Sequence, residues 1–148
     1  MGGPALLEVE DLAVAARSSR GDLEIVHGVG LCLRPGETVA VVGETGSGKS
    51  LTMLALMRLL SPPLGITRGR VTFDGRDLTA LSEREMRDLR GRQMAMIYQD
   101  PMTSLNPLMR VGAQVAEAMT AHGVSGGEAE RRSLDLLARV EIPDPERT

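Results

Sequence analysis

Eight consecutive residues, Gly43-Glu44-Thr45-Gly46-Ser47-Gly48-Lys49-Ser50, follow the spacing G-x-x-x-x-G-K-S, whose chemistry is the capture of a polyphosphate. Glycine admits backbone angles that other residues resist, so successive N–H groups can turn inward on an anion. A helix starting near Lys49 would aim the positive end of its dipole at the same point. The ammonium of Lys49 is then placed for β- and γ-phosphate oxygens, and the hydroxyl of Ser50 for a Mg²⁺ ion. Glu44 is expected to face solvent, because a carboxylate is repelled by phosphate. The chain has 17 basic residues, of which Lys49 is the single lysine. It stands where a compact ammonium is needed and the planar fork of arginine is a poor substitute.

A second candidate is Gln99, which follows the apolar run Met94-Ala95-Met96-Ile97-Tyr98. A carboxamide at a strand end can join the oxygen shell of Mg²⁺ without adding charge. Taken alone, Gln99 reads as a polar residue ending a strand, and Ser50 is the candidate metal ligand that the loop itself supplies. Cys32 is the only cysteine. It reads as a small buried residue of Leu31-Cys32-Leu33, since neither His27 nor His122 stands in a motif that would activate a thiol.

The elements that must position these groups can be read from the surrounding pattern. Thr38-Val39-Ala40-Val41-Val42 is a continuous, β-branched apolar run, which predicts a strand buried on both faces of a parallel sheet. The segment 51–60 predicts a helix that is apolar on nearly every side and therefore buried, stopped by Ser61-Pro62-Pro63. Ahead of them, strands are predicted over 6–12 and 25–33, with a loop over 13–21 and a turn at Arg34-Pro35-Gly36-Glu37. A strand over 69–76 ends in the Asp74-Gly75 turn. Ser82-Glu83-Arg84-Glu85 is a capping box opening a helix to about Arg90. The run 94–98 predicts another strand, and 100–107 a loop between two prolines. Helices are predicted over 111–121 and 128–140, the second with Leu134, Leu137 and Ala138 on one face.

With 148 residues, 42% hydrophobic and 25% charged, the composition is that of an ordinary globular domain. A net charge of −3 gives no basic field for nucleic acid. Residues 1–10 carry no signal-peptide pattern, and the longest apolar stretch, 51–60, is half a bilayer span. One thiol fits a cytosolic setting.

The phosphate loop alone leaves a GTPase, a small-molecule kinase and an ATPase open. The residues around Gln99 point to one of them. Met96-Ile97-Tyr98-Gln99-Asp100-Pro101-Met102-Thr103-Ser104-Leu105-Asn106-Pro107 is very similar to the glutamine loop of ATP-binding cassette importers of the peptide, dipeptide and nickel group. Leu6-Leu7-Glu8-Val9-Glu10-Asp11-Leu12, the stretch 29–50 and Gly75-Arg76-Asp77-Leu78 also resemble that family, so the resemblance extends over 6–147. It implies an α/β fold: a partial P-loop core with an N-terminal antiparallel β-subdomain, together about 1–104, and the start of an α-helical subdomain from about 105 to 148. It implies ATP and Mg²⁺ as cofactors, with Gln99 joining Ser50 as a Mg²⁺ ligand or positioning the attacking water. It further implies permease subunits docked through the segment after Gln99, a second ATP-binding subunit in a head-to-tail dimer, a solute-binding protein acting indirectly, and a place on the cytoplasmic face of the plasma membrane.

The family's signature motif, its strand ending in Asp-Glu and its switch histidine have no match here, and the resemblance places the signature after Thr148. Ser125-Gly126-Gly127-Glu128 is read instead as the start of a helix capped by Ser125. The family's adenine-stacking aromatic falls at about Ala16, and no aromatic precedes Phe73. Losing such a platform is expected to cost about 1–3 kcal/mol of affinity. Three readings follow: the ATP-binding part of a peptide importer that cannot complete hydrolysis alone, a non-catalytic nucleotide-binding or docking module, and a small P-loop kinase.

Overall fold

The computed structural model describes residues 3–99 and 105–147. The expected loop from Asp100 lies outside the described residues as far as Ser104. Two compact units form, Met1–Arg90 and Gly91–Thr148, where the sequence reading set its division near 104.

The first unit is built on a four-stranded antiparallel sheet in the order β2-β1-β3-β4. Its strands are β1 (Leu7–Ala16), β2 (Leu23–Leu33), β3 (Leu64–Phe73) and β4 (Arg76–Asp77). Leu7 and Val9 point inward while Glu8 and Glu10 point out, the alternation of a half-buried strand. From Leu12 to Ala15 every side chain is buried. The expected loop over 13–21 therefore begins only at Arg17. Ala13, Val14 and Ala15 are small enough to lie at the centre of the sheet between β2 and β3, and that packing overrides their weak strand pattern.

The sheet bends along one line crossing three strands. Asp11 (φ 47°), Gly28 (φ 60°) and Gly69 (φ 93°) all take left-handed backbone, and both ladders of β1 shift register beside Asp11. A side chain at Gly69 would run into the carbonyl oxygen of Asp11, so only glycine fits there. The Asp11 carboxylate is held by Arg68 Nε at 2.6 Å. Such bulges add curvature on the sheet that α1 packs against.

Cys32 is exposed, not buried. It pairs with Glu8 on the outward face, while its neighbours Leu31 and Leu33 pair with buried Val9 and Leu7. The turn after β2 is as expected: Gly36 takes φ 78° and the Glu37 amide donates to the Arg34 carbonyl at 3.1 Å.

Residues 38–42 form no ladder among the described residues, contrary to the buried strand expected there. Val39 and Val41 are about half exposed and Val42 is 91% exposed. A parallel strand needs neighbours for its backbone groups and cover on both faces, and the antiparallel sheet supplies no neighbour to this run. The strand expected over 94–98 is likewise absent, with Ile97 96% exposed.

The helix after the loop, α1 (Lys49–Leu56), is shorter than the expected 51–60. Arg58 turns left-handed (φ 51°) and the Leu59 amide donates back to Leu54, a C-terminal stop that precedes the prolines. Only Thr52, Ala55 and Leu56 are buried, so one face and not the whole helix is covered. Two arginines satisfy carbonyls at this corner. The Arg58 guanidinium donates to Leu78 and Leu81, and Arg90 donates to Met57 at 2.8 Å and Arg58 at 2.9 Å. The Asp74-Gly75 turn and the capping box of α2 (Glu83–Leu89) form as expected.

In the second unit α3 (Val111–Thr120) packs on α4 (Gly126–Arg139). The buried stripe of α4 is Ala129, Ser133 and Leu137, whereas Leu134 is half-buried and Ala138 exposed. Gly112 lies against Leu137 and Ser133, so the helix contact selects the stripe facing that glycine. Ser125 is the N-cap residue of α4, without a side-chain cap bond. No helix among the described residues is long and apolar enough to cross a membrane.

Candidate functional site

The loop 43–50 connects the unpaired run 38–42 to α1, as a phosphate-binding loop must. Gly46 (φ 87°) and Gly48 (φ 88°) are left-handed, and Gly48 is the N-cap of α1. These angles turn consecutive amides toward one side. A Cβ on Gly43 would lie 2.8 Å from Ser47 Oγ, and one on Gly48 would press on Val26 Cγ2 at 3.1 Å. At Gly48 the left-handed backbone favours glycine and the approach to Val26 adds to that, whereas a side chain at Gly43 would need the Ser47 hydroxyl to turn away. The Ser47 amide donates to the Glu44 carbonyl at 3.2 Å, closing the loop.

Lys49 is turned into this loop. Its Nζ donates to the Gly43 carbonyl at 2.7 Å, the Glu44 carbonyl at 2.7 Å and Ser47 Oγ at 3.2 Å. All three are neutral acceptors. Anionic oxygens bind an ammonium roughly twice as strongly, so this cation can exchange loop carbonyls for phosphate oxygens. Thr52 anchors the first turn of α1, its amide and its hydroxyl both donating to the Gly48 carbonyl, at 2.8 and 2.9 Å. Sequence reasoning missed Thr52; its signal was a hydroxyl four residues after the last loop glycine. Ser50 stands exposed in the first turn. Glu44 and Thr45 are exposed as well, and the Glu44 position agrees with the solvent-facing role expected of it.

Gln99 is exposed, at the edge of the described part of the second unit. After the undescribed stretch, Asn106 forms the turn expected of an Asn before Pro, its Oδ1 accepting from the Leu108 amide at 3.0 Å. Gln114 holds this turn, donating to Asn106 and Met109 carbonyls and accepting from the Asn106 amide.

The donor set fits a polyphosphate with a hydrated cation. Left-handed glycines, a helix N-terminus, one ammonium and one hydroxyl are all supplied by residues 43–50. No group of three or more His, Cys, Asp or Glu that could hold a metal occurs among the described residues. A Mg²⁺ here would depend on phosphate oxygens, with Ser50 offering one ligand from the loop.

Residues 26–148 match the sequence model of the family described as ABC transporter. The chain is 48% identical, over 96% of its length, to the oligopeptide transport ATP-binding protein OppD of Bacillus subtilis, and covers 40% of that protein. It is 44% identical over 95% of its length to the dipeptide transport ATP-binding protein DppD of Lactococcus lactis, covering 41% of it. It thus spans about two fifths of the curated relatives it matches. In fold it resembles the dimeric structure of MJ0796, a bacterial ABC transporter cassette, with a TM-score of 0.77 at 22% identity, over 93% of this chain and 58% of that one. A second structure of MJ0796, a post-hydrolysis state bound to ADP and Pi, gives a TM-score of 0.74.

Proposed function

The chain belongs to the ABC transporter family, and we propose that it is the phosphate-gripping part of an ATP-binding subunit that powers import of peptides or related solutes. The observation that carries this reading is the loop itself, with Gly46 and Gly48 left-handed and the chain's one lysine folded into it. In this reading ATP is held through its phosphates by the amides of residues 43–50 and by Lys49, with Ser50 and Gln99 completing the surroundings of Mg²⁺. The relatives named for oligopeptide and dipeptide transport support the solute class. Permease subunits would meet the segment after Gln99. A second ATP-binding subunit would pair head to tail, and a solute-binding protein would deliver cargo outside. The working place is the cytoplasmic face of the membrane.

What the residues of this chain do is bind and orient. Lys49 neutralises charge on the phosphate tail, and the α1 dipole adds to it. No carboxylate of the loop is placed to take a proton from water, since Glu44 faces solvent. The chain by itself therefore binds ATP without turning it over. The test is equilibrium binding of MgATP together with phosphate release. Binding that weakens at least tenfold in Lys49→Ala, the scale of one charged hydrogen-bond set, with no phosphate release above that variant, is the expected result. Binding indifferent to Lys49, or turnover independent of it, refutes the reading.

A further inference from the structure

We infer that Thr52 is a positioning residue for the bound phosphates: its hydroxyl fixes the Gly48–Lys49 peptide so that the Lys49 backbone N–H, and not only the Lys49 ammonium, is aimed at the anion. The inference rests on the phosphate-loop reading and names a buried residue outside the loop. Thr52 is 5% exposed and lies one helical turn below Gly48, about 6 Å along the axis of α1.

Two donors meet at one oxygen. The Gly48 carbonyl accepts from the Thr52 amide at 2.8 Å and from the Thr52 hydroxyl at 2.9 Å, which uses both of its lone pairs. The first is the ladder bond that closes the opening turn of any α-helix. The second is extra. A hydroxyl that bonds back four residues within a helix slightly destabilises and often bends it, so helix stability does not account for this bond. Its effect is on orientation. Gly48 and Lys49 share a planar trans peptide, whose C=O and N–H point in opposite directions. A carbonyl pinned along α1 by two donors therefore aims the Lys49 N–H out of the helix N-terminus. That N–H is one of the first helical amides, which have no partner within the helix. Accepting two bonds also polarises the peptide and makes its N–H the stronger donor.

The strand side of Gly48 is closed as well. A Cβ there would lie 3.1 Å from Val26 Cγ2 and 3.8 Å from the Ile25 carbonyl oxygen. Val26 is buried and pairs with Val14, itself buried. Thus β2 keeps the Gly48 Cα from shifting while Thr52 keeps its carbonyl from turning.

Lys49 is the single lysine, so lysine labelled with ¹⁵N at its α-nitrogen gives one backbone amide signal, that of this N–H. The experiment follows that signal, the denaturation midpoint and the affinity for the Mg²⁺ complexes of tripolyphosphate and ATP. It compares the unmodified chain with Thr52→Val, Thr52→Ser and Ala55→Gly. Valine keeps the shape of threonine without the hydroxyl, and the Gly48 carbonyl keeps its amide bond, so no buried group is orphaned. Ala55 is buried in α1, and glycine there weakens the helix without touching the hydroxyl. Thr52→Val is expected to weaken both ligands about three- to tenfold, the worth of one hydrogen bond. It is also expected to move the ligand-free Lys49 amide signal and to shrink its shift on binding. Thr52→Ser is expected to keep the unmodified signal and an affinity within about twofold. Ala55→Gly is expected to lower the denaturation midpoint and to change neither signal nor affinity. Thr52→Val binding within twofold of the unmodified chain overturns the inference. So does a Thr52→Ser variant that behaves like Thr52→Val, or an affinity loss that follows the denaturation midpoint across the variants. If the unmodified chain itself binds neither ligand, the phosphate-loop reading falls and takes this inference with it.

Discussion

Gly48 carries three demands at one residue. It must be left-handed, lie against Val26 and accept both bonds from Thr52. Alanine in that conformation costs about 1–2 kcal/mol, and its methyl group also needs Val26 to yield. Gly48→Ala is expected to lower the stability of the chain by about that much and to weaken MgATP binding by more than tenfold, measured by denaturant titration and by equilibrium binding. Unchanged binding would mean the loop is not held in the described shape when ligand arrives. The shape of the loop was legible in the sequence at this scale because its requirements are local: glycine for angle, and one lysine folded back onto the loop. Thr52 was less legible, since a hydroxyl bonding back to a carbonyl four residues earlier leaves no fixed pattern. The exposure of Cys32 was not legible in its apolar neighbours, and only its register opposite Glu8 decides it.

Among the elements, α2 was the most legible, because its start is written in four residues. Ser82 accepts from the Glu85 amide at 3.3 Å while the Glu85 carboxylate accepts from the Ser82 amide at 2.8 Å and hydroxyl at 2.7 Å. The Ser82 hydroxyl and amide hold the Glu85 carboxyl below its ordinary range. A carboxylate depressed in the folded chain contributes stability above its unfolded value and loses it as pH falls through the folded one. Protection of the Glu85 amide, taken relative to its intrinsic exchange rate at each pH, should therefore fall on acidification below the usual glutamate range, and Glu85→Gln should remove that dependence. Ser82→Ala should destabilise by about 1 kcal/mol at neutral pH. A protection factor at Glu85 that stays constant across that range would show the box does not form. The strands expected over 38–42 and 94–98 failed for the opposite reason. A buried parallel strand is a property of its neighbours, and an apolar β-branched run says what it can become without saying what lies beside it.

At the scale of the whole molecule, the first unit builds its core on a bent antiparallel sheet and leaves valines of the 38–42 run in solvent. An apolar, uncharged, β-branched run without ladder partners is a template for pairing with other chains. The chain is expected to associate with increasing concentration, and Val42→Lys combined with Ile97→Lys is expected to shift it toward monomer, as followed by sedimentation velocity. A monodisperse chain at tens of micromolar before any substitution would contradict this. The α/β class followed from the resemblance carried by the phosphate loop and the residues around Gln99, whereas the division at Arg90 and Gly91 was not legible, because no proline-rich or glycine-rich linker marks it.

Having a single lysine permits a direct observation of the central claim. Lysine labelled with ¹³C and ¹⁵N at the side chain gives one ammonium signal, that of Lys49. On titration with MgATP, that signal is predicted to shift saturably as Nζ leaves the Gly43 and Glu44 carbonyls for phosphate oxygens, and tripolyphosphate is predicted to reproduce the shift. A signal that stays fixed at millimolar nucleotide, while the chain remains folded, would contradict phosphate capture by this loop.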